Sequence, residues 1–211
     1  MTYFEFLAII ENLPEPDQIS INATGFSIPG NNAEIELRLV YSDPETDIDR
    51  KFKVEIACLE DYKIVKRDNS FVHFTNEHPV LWNFNSIHGD LYFNGEVSNP
   101  EKVFSDLYKV HDKLYAGLIP FESYFNTGID VLKVLNAGSG LIAKGPVKIL
   151  DCYAAILAKH GIKHSIIEMH EPKYWTGKEF VMYDGREEIL LIGESYFVGN
   201  GFNFFEISKI A

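Results

Sequence analysis

The stretch Ser98–Gly117, SNPEKVFSDLYKVHDKLYAG, is where the reading of the chain turns. Asn99 is suited to cap a helix and Pro100 to occupy its first position, where a missing N–H costs nothing. Gly117 suits the left-handed residue that closes a helix. Between them Val103, Phe104, Leu107, Tyr108, His111, Leu114 and Tyr115 recur at helical spacing and form one apolar stripe.

Upstream of this helix the period is two. The segments QISINA, AEIELRLVY, KFKVEIACL, YKIVKR, SFVHF and DLYFNG alternate apolar with polar residues, and clusters of Gly, Asn, Asp and Pro separate them. Ile35, Leu37 and Leu39 face one way and Glu34, Glu36 and Arg38 the other, as in an antiparallel sheet with one wet face. Downstream, PVKILDCYAAILAKHG confines Lys148, Asp151, Ala155 and Lys159 to a narrow stripe, which predicts a mostly buried helix. IKHSIIEMH, KEFVMYDG, EEILLIGESYFVG and NFFEIS then read as strands, with turns expected at Asp184-Gly185 and Asn200-Gly201.

Strands, then helices, then strands predict an α+β protein. Residues 1–97 form a mostly antiparallel sheet packed against helices. Residues 98–211 supply a helix and a C-terminal group of antiparallel strands, either as a second domain or as a continuation of the first. The 211 residues suffice for one large domain or two small ones.

Composition narrows the partners. The formal net charge is -12 and the 19 Lys and Arg form no basic run, so neither nucleic acid nor an anionic membrane surface is an expected partner. An acidic surface instead favours a basic protein. The opening MTYFEFLAIIENLPEP carries Glu5 within its apolar run and no basic start, and no segment is apolar enough to span a membrane. A cytoplasmic protein is expected, with Cys58 in a strand and Cys152 in a helix as buried free thiols.

Several motifs invite chemistry. NAGSGLIAKGP (136–146) contains the G-x-G-x-x-A spacing of a dinucleotide loop, but helical spacing precedes it and Lys144 precedes Gly145, which also defeats a Walker-type phosphate loop. It reads as a tight connection in which Gly138 ends one helix and Gly145-Pro146 begins the next. In ILLIGESYF, Gly193-Glu194-Ser195 resembles the first block of GDSL-type hydrolases, with Glu for the usual Asp. No histidine follows Ser195, so a strand or turn residue is expected there. His164, Glu168 and His170 share one face of a strand but lie too far apart to share an ion, so no metal or cofactor is called for. SDPETDIDRK spaces Asp43, Glu45, Asp47 and Asp49 by two. It has Ile48 where a calcium loop needs Gly, and reads as a solvated acidic loop.

What remains is aromatic. Trp82 lies in a segment expected to form a hairpin turning at His88-Gly89, and Tyr174 and Trp175 sit in a polar loop, where aromatics favour recognition. Trp82, Tyr174 and Trp175 are the candidate partner-binding residues. The leading expectation is a non-catalytic interaction protein, inhibitor- or immunity-like, that masks a basic partner. The rival is a small-molecule binder or hydrolase-type enzyme whose site lies between sheet and helices, with His88, Asp90 and His111 as candidate acid–base groups. A homo-oligomer is left open.

Overall fold

The computed structural model describes residues 1–13, 19–42, 47–65, 71–125, 130–183 and 185–210. The acidic-loop residues Asp43 and Glu45 and the turn residue Asp184 lie outside them. The chain is α+β, and it divides into two compact units, Met1–Glu77 with Arg186–Ala211, and His78–Gly185. The division at residues 97 and 98 suggested by the change of period falls inside the second unit.

The first unit holds helix α1 (Tyr3–Glu11) and strands β1 (Ser20–Ser27), β2 (Ala33–Ser42), β3 (Asp47–Lys63), β4 (Val72–Thr75), β10 (Glu188–Ile192) and β11 (Ser195–Ile210). They form a six-stranded sheet in the order β1-β2-β3-β11-β10-β4, with every pairing antiparallel. The alternation in β2 sends Ile35, Leu37, Leu39 and Tyr41 into the core, where Phe52, Val54, Phe197 and Phe204 join them. Helix α1, started by a Thr2–Glu5 capping box, lays Phe6 against Phe52 and Phe204. The opposite face carries ion pairs across strands, Arg38 with Asp49 and Arg50 with Glu206.

Three expectations change here. DLYFNG does not join this sheet, and the C-terminal strands return to it instead, β11 along β3 and β10 beside β4. Asn200-Gly201 is not a turn but an irregularity within β11, where Gly201 takes φ 74° and the register with β3 slips. The turn falls at Gly193-Glu194, joining β10 to β11 with Gly193 at φ 56°, as a two-residue hairpin needs at its first loop position. Cys58 is exposed rather than buried, because β3 slips register against Gly199 and Asn200 at that point and Cys58 has no Cα partner.

The second unit contains a 3-10 turn (Pro79–Leu81), α2 (Trp82–Asn85), β5 (His88–Asn94), α3 (Pro100–Tyr115), a second 3-10 turn (Phe121–Ser123), α4 (Val131–Asn136), β6 (Ser139–Pro146), α5 (Val147–Lys159), β7 (Lys163–His170), β8 (Lys173–Trp175) and β9 (Phe180–Met182). Strands β6-β5-β7 form an antiparallel sheet, and β8 and β9 a separate two-stranded ribbon. The quoted helix forms as read, with Asn99 accepting from Lys102 N and Pro100 at its start, and it ends on left-handed Ala116 and Gly117. It buries Val103, Leu107, His111 and Tyr115, and α5 buries Ile149, Leu150, Tyr153 and Leu157.

Two local readings are overturned. The segment around Trp82 is not half of a hairpin. His78 accepts from Val80 N, Pro79 starts a helical turn, and only from His88 onward does the chain extend. Residues 139–146 are not a bare connection but strand β6, although the helices do end before Gly138 and resume after Pro146. Gly140 and Gly145 lie in this strand at φ 151° and 149°, a conformation that glycine alone adopts without cost.

Candidate functional site

Two features of the second unit stand out, a polar cleft on its small sheet and an apolar face on its ribbon. The cleft follows from register. His88 and Asp90 are two apart on β5 and so share a face. Lys144 on β6 lies opposite Asp90, and His170 on β7 lies opposite His88. These four side chains, with Asn83, Ser123, Tyr124, Gly89 and Gly145, line a space of about 410 Å³.

Asp90 is 5% exposed, and Lys144 Nζ stands 2.8 Å from its Oδ2. The lysine side chain itself is 60% exposed, so the pair joins a buried anion to a cation at the cleft mouth. His88 Nε2 lies 3.1 Å from the Asn83 carbonyl; a carbonyl only accepts, so Nε2 carries the proton. Burial, the donor bond to Asn83 notwithstanding, and then the neighbouring His170 move His88 below the ordinary histidine value. The two imidazoles are 5.9 Å apart. Behind them Tyr124 donates to Asn83 Oδ1 at 2.9 Å and shares a 3.1 Å hydroxyl contact with Tyr115, whose ionisation burial pushes far up.

His111 does not reach this cleft. It is 2% exposed, its Nε2–H donates to the Ile119 carbonyl at 2.7 Å, and its Nδ1 accepts from Tyr153 Oη at 2.8 Å. Both ring nitrogens are thus engaged in the core, and burial lowers the histidine's proton affinity. Of the three candidate acid–base groups, the fold brings His88 and Asp90 together and leaves His111 apart.

The aromatic candidates also separate. Trp82 is half-buried at the start of α2, with Tyr115 6.4 Å away and Lys148 Nζ 5.7 Å from its ring centre. Tyr174 and Trp175 lie in β8 rather than in a loop, because Thr176 closes a tight turn by bonding with Lys178, Glu179 and the Glu179 carbonyl. Trp175 pairs with Phe180, and Lys173 with Met182. Trp175, Phe180 and Met182 therefore share one face and are 56%, 67% and 58% exposed. The other face is tied down, Tyr174 packing on Tyr183 at 4.9 Å and Tyr183 on Phe84 at 5.3 Å. The sequence reading missed Phe180 and Met182; their spacing of two in KEFVM is the signal that would have placed them beside Trp175.

Ser195 does not resemble a nucleophile in its setting. It opens β11, is buried, and its Oγ both accepts from Val65 N and donates to Val65 O. Among the described residues no three His, Cys, Asp or Glu side chains gather to hold a metal, and no helix is long and apolar enough to cross a membrane. None of the protein families, characterised proteins or solved structures compared with the chain matches it.

Charge is unevenly shared. The first unit carries 19 of the 31 acidic residues and 9 of the 19 basic ones, so -10 of the formal -12 belongs to it and -2 to the second unit. The chemistry on offer is thus an acidic surface on one unit, and on the other an exposed apolar ribbon and a polar cleft.

Proposed function

We propose that the protein is a non-catalytic interaction module, inhibitor- or immunity-like in action, that binds a basic protein partner. The observation that carries this reading is the outward face of the β8–β9 ribbon. Three large apolar side chains stand in solvent there on a ribbon whose other face is anchored, and preformed aromatic anchors of this kind supply much of the energy of protein interfaces. The acidity of the first unit supplies long-range attraction for a basic surface and suppresses binding to acidic ones.

The test is capture from the native host's lysate with the wild-type protein and with Trp175→Ala/Phe180→Ala, washed at low and high salt. The reading expects a near-stoichiometric basic protein held by the wild type, weakened by high salt and lost from the double variant. Equal recovery by both proteins would remove the ribbon from the interface. A second reading, a small-molecule binder or hydrolase-type enzyme, is supported by the meeting of His88 and Asp90 in the cleft. It predicts that ligand screening finds compounds whose binding is abolished in Asp90→Asn and unaffected in the ribbon variant.

A further inference from the structure

We propose that the cleft of the second unit receives the guanidinium of an arginine side chain, with Asp90 as its counter-ion, and that Lys144 is a resident placeholder which the arginine displaces. The source of that arginine, the basic partner, rests on the interaction reading above; the cleft's preference for a cation does not.

Asp90 is 5% exposed, and a buried charge needs a partner with good geometry. Its Oδ2 has the Lys144 ammonium at 2.8 Å but no contact with hydrogen-bond geometry among the described residues. The pair is electrostatic and incompletely bonded. A guanidinium presents two parallel N–H groups to a carboxylate, whereas an ammonium presents a point charge, so an arginine would supply the directed bond that Oδ2 lacks.

Lys144 lies on β6, the edge strand of the β6-β5-β7 sheet, and its side chain is 60% exposed at the cleft mouth, so a cation arriving from solvent meets it before it meets the buried carboxylate. The space of about 410 Å³ lies within the range of roughly 300–1,000 Å³ that binding clefts occupy. Its walls suit a cation. His88 gives its Nε2–H to Asn83, and burial lowers its proton affinity and so favours the uncharged ring, while Ser123 and Tyr124 add a hydroxyl and an aromatic wall. An anion fits less well, since the lysine that would attract it is already neutralised by a carboxylate more deeply buried than itself.

The experiment titrates the full-length protein with a blocked arginine, N-acetyl-arginine methylamide, and follows the backbone amide resonances of Gly89, Asp90 and Gly145. The wild type is expected to show saturable shifts. Lys144→Met, freed of the competing ammonium, is expected to bind at least about 5-fold tighter, the gain from raising the fraction of unoccupied sites. Asp90→Asn is expected not to bind. Lys144→Gln serves as the second variant if Lys144→Met does not fold.

The proposal is overturned if the wild type and both Lys144 variants show no shifts, or if Asp90→Asn binds like the wild type. It is also overturned if blocked lysine binds as tightly as blocked arginine, or if inorganic phosphate binds the wild type and loses its site in Lys144→Met. A negative lysate capture leaves this titration meaningful, and a negative titration leaves the ribbon reading intact, so the two failures are distinguishable.

Discussion

Gly145→Ala tests whether the wall of the cleft is as rigid as its packing implies. Gly145 has φ 149°, in a region where a side chain costs about 1–3 kcal/mol of backbone strain. The added Cβ would stand 2.6 Å from Tyr124 Cδ1 and 3.0 Å from Cε1, well inside contact distance, so the ring must move away. Tyr124 is 5% exposed and its hydroxyl is bonded to Asn83 and Tyr115, so a ring pushed aside toward the cleft pulls away from those partners. Losing one or both of those bonds adds about 1 kcal/mol each.

The sum is about 2–5 kcal/mol. Gly138→Ala is the matched control. It too has positive φ, 77°, but nothing lies within 4 Å of its added Cβ, so it should lose only about 1–2 kcal/mol. Urea unfolding followed by tryptophan fluorescence reads the second unit alone, because both tryptophans, Trp82 and Trp175, lie in it. A Gly145→Ala loss no larger than that of Gly138→Ala would refute the reasoning and show that Tyr124 yields freely.

Further outcomes follow from the buried polar groups. Tyr153→Phe leaves His111 Nδ1 without its donor in the core and should cost about 1–3 kcal/mol in the same unfolding assay, whereas a neutral result would mean that the 2.8 Å bond is idle. Imidazole titration by NMR should place His88 and His111 below the ordinary value near 6.5. The unfolded chain then takes up these protons first, so their contribution to stability declines as pH falls below about 6.5, and midpoints above that value would contradict the burial argument. Asp106, bonded by Lys102 and His160 where α3 meets α5, is lowered from the ordinary carboxyl value to about 2. Its stabilising contribution is therefore present above the ordinary value and lost as pH falls toward about 2, and a carboxyl titration midpoint near 4 would remove it.

The parts of the fold that were legible in the sequence are those in which local pattern and burial agree. Ile35, Leu37 and Leu39 alternate with charged residues and are buried, and α3 begins and ends where Asn99, Pro100 and Gly117 say it should. Pairing across long separations was not legible. The partner of β11 is β3, with Phe202 opposite Ile56, and no local feature of either strand specifies the other. The glycines of 136–146 concealed a strand, because Gly140 and Gly145 sit inside it at positive φ and Gly145 also leaves room for the Tyr124 ring, while Gly138 only ends the preceding helix.

The candidate site divides in the same way. His88 and Asp90 could be singled out on β5, but Lys144 and His170 reach them only through the register of β6 and β7. His111 belongs to an apolar stripe as its spacing implies, yet the Tyr153 hydroxyl that satisfies it comes from 42 residues away. Trp175 stands out in the sequence as an aromatic in a polar segment. Its companions Phe180 and Met182 required the turn at Thr176–Glu179 to fold them alongside it.

The most direct test of the account places a photo-crosslinking amino acid at position 175 or 180 in the native host, with position 4 as control. Phe4 is also an exposed aromatic, 77% accessible, but it belongs to the first unit. The account predicts a crosslink to one basic protein from positions 175 and 180 and none to that protein from position 4. Crosslinks only to further copies of this chain, or the same yield from all three positions, would contradict it.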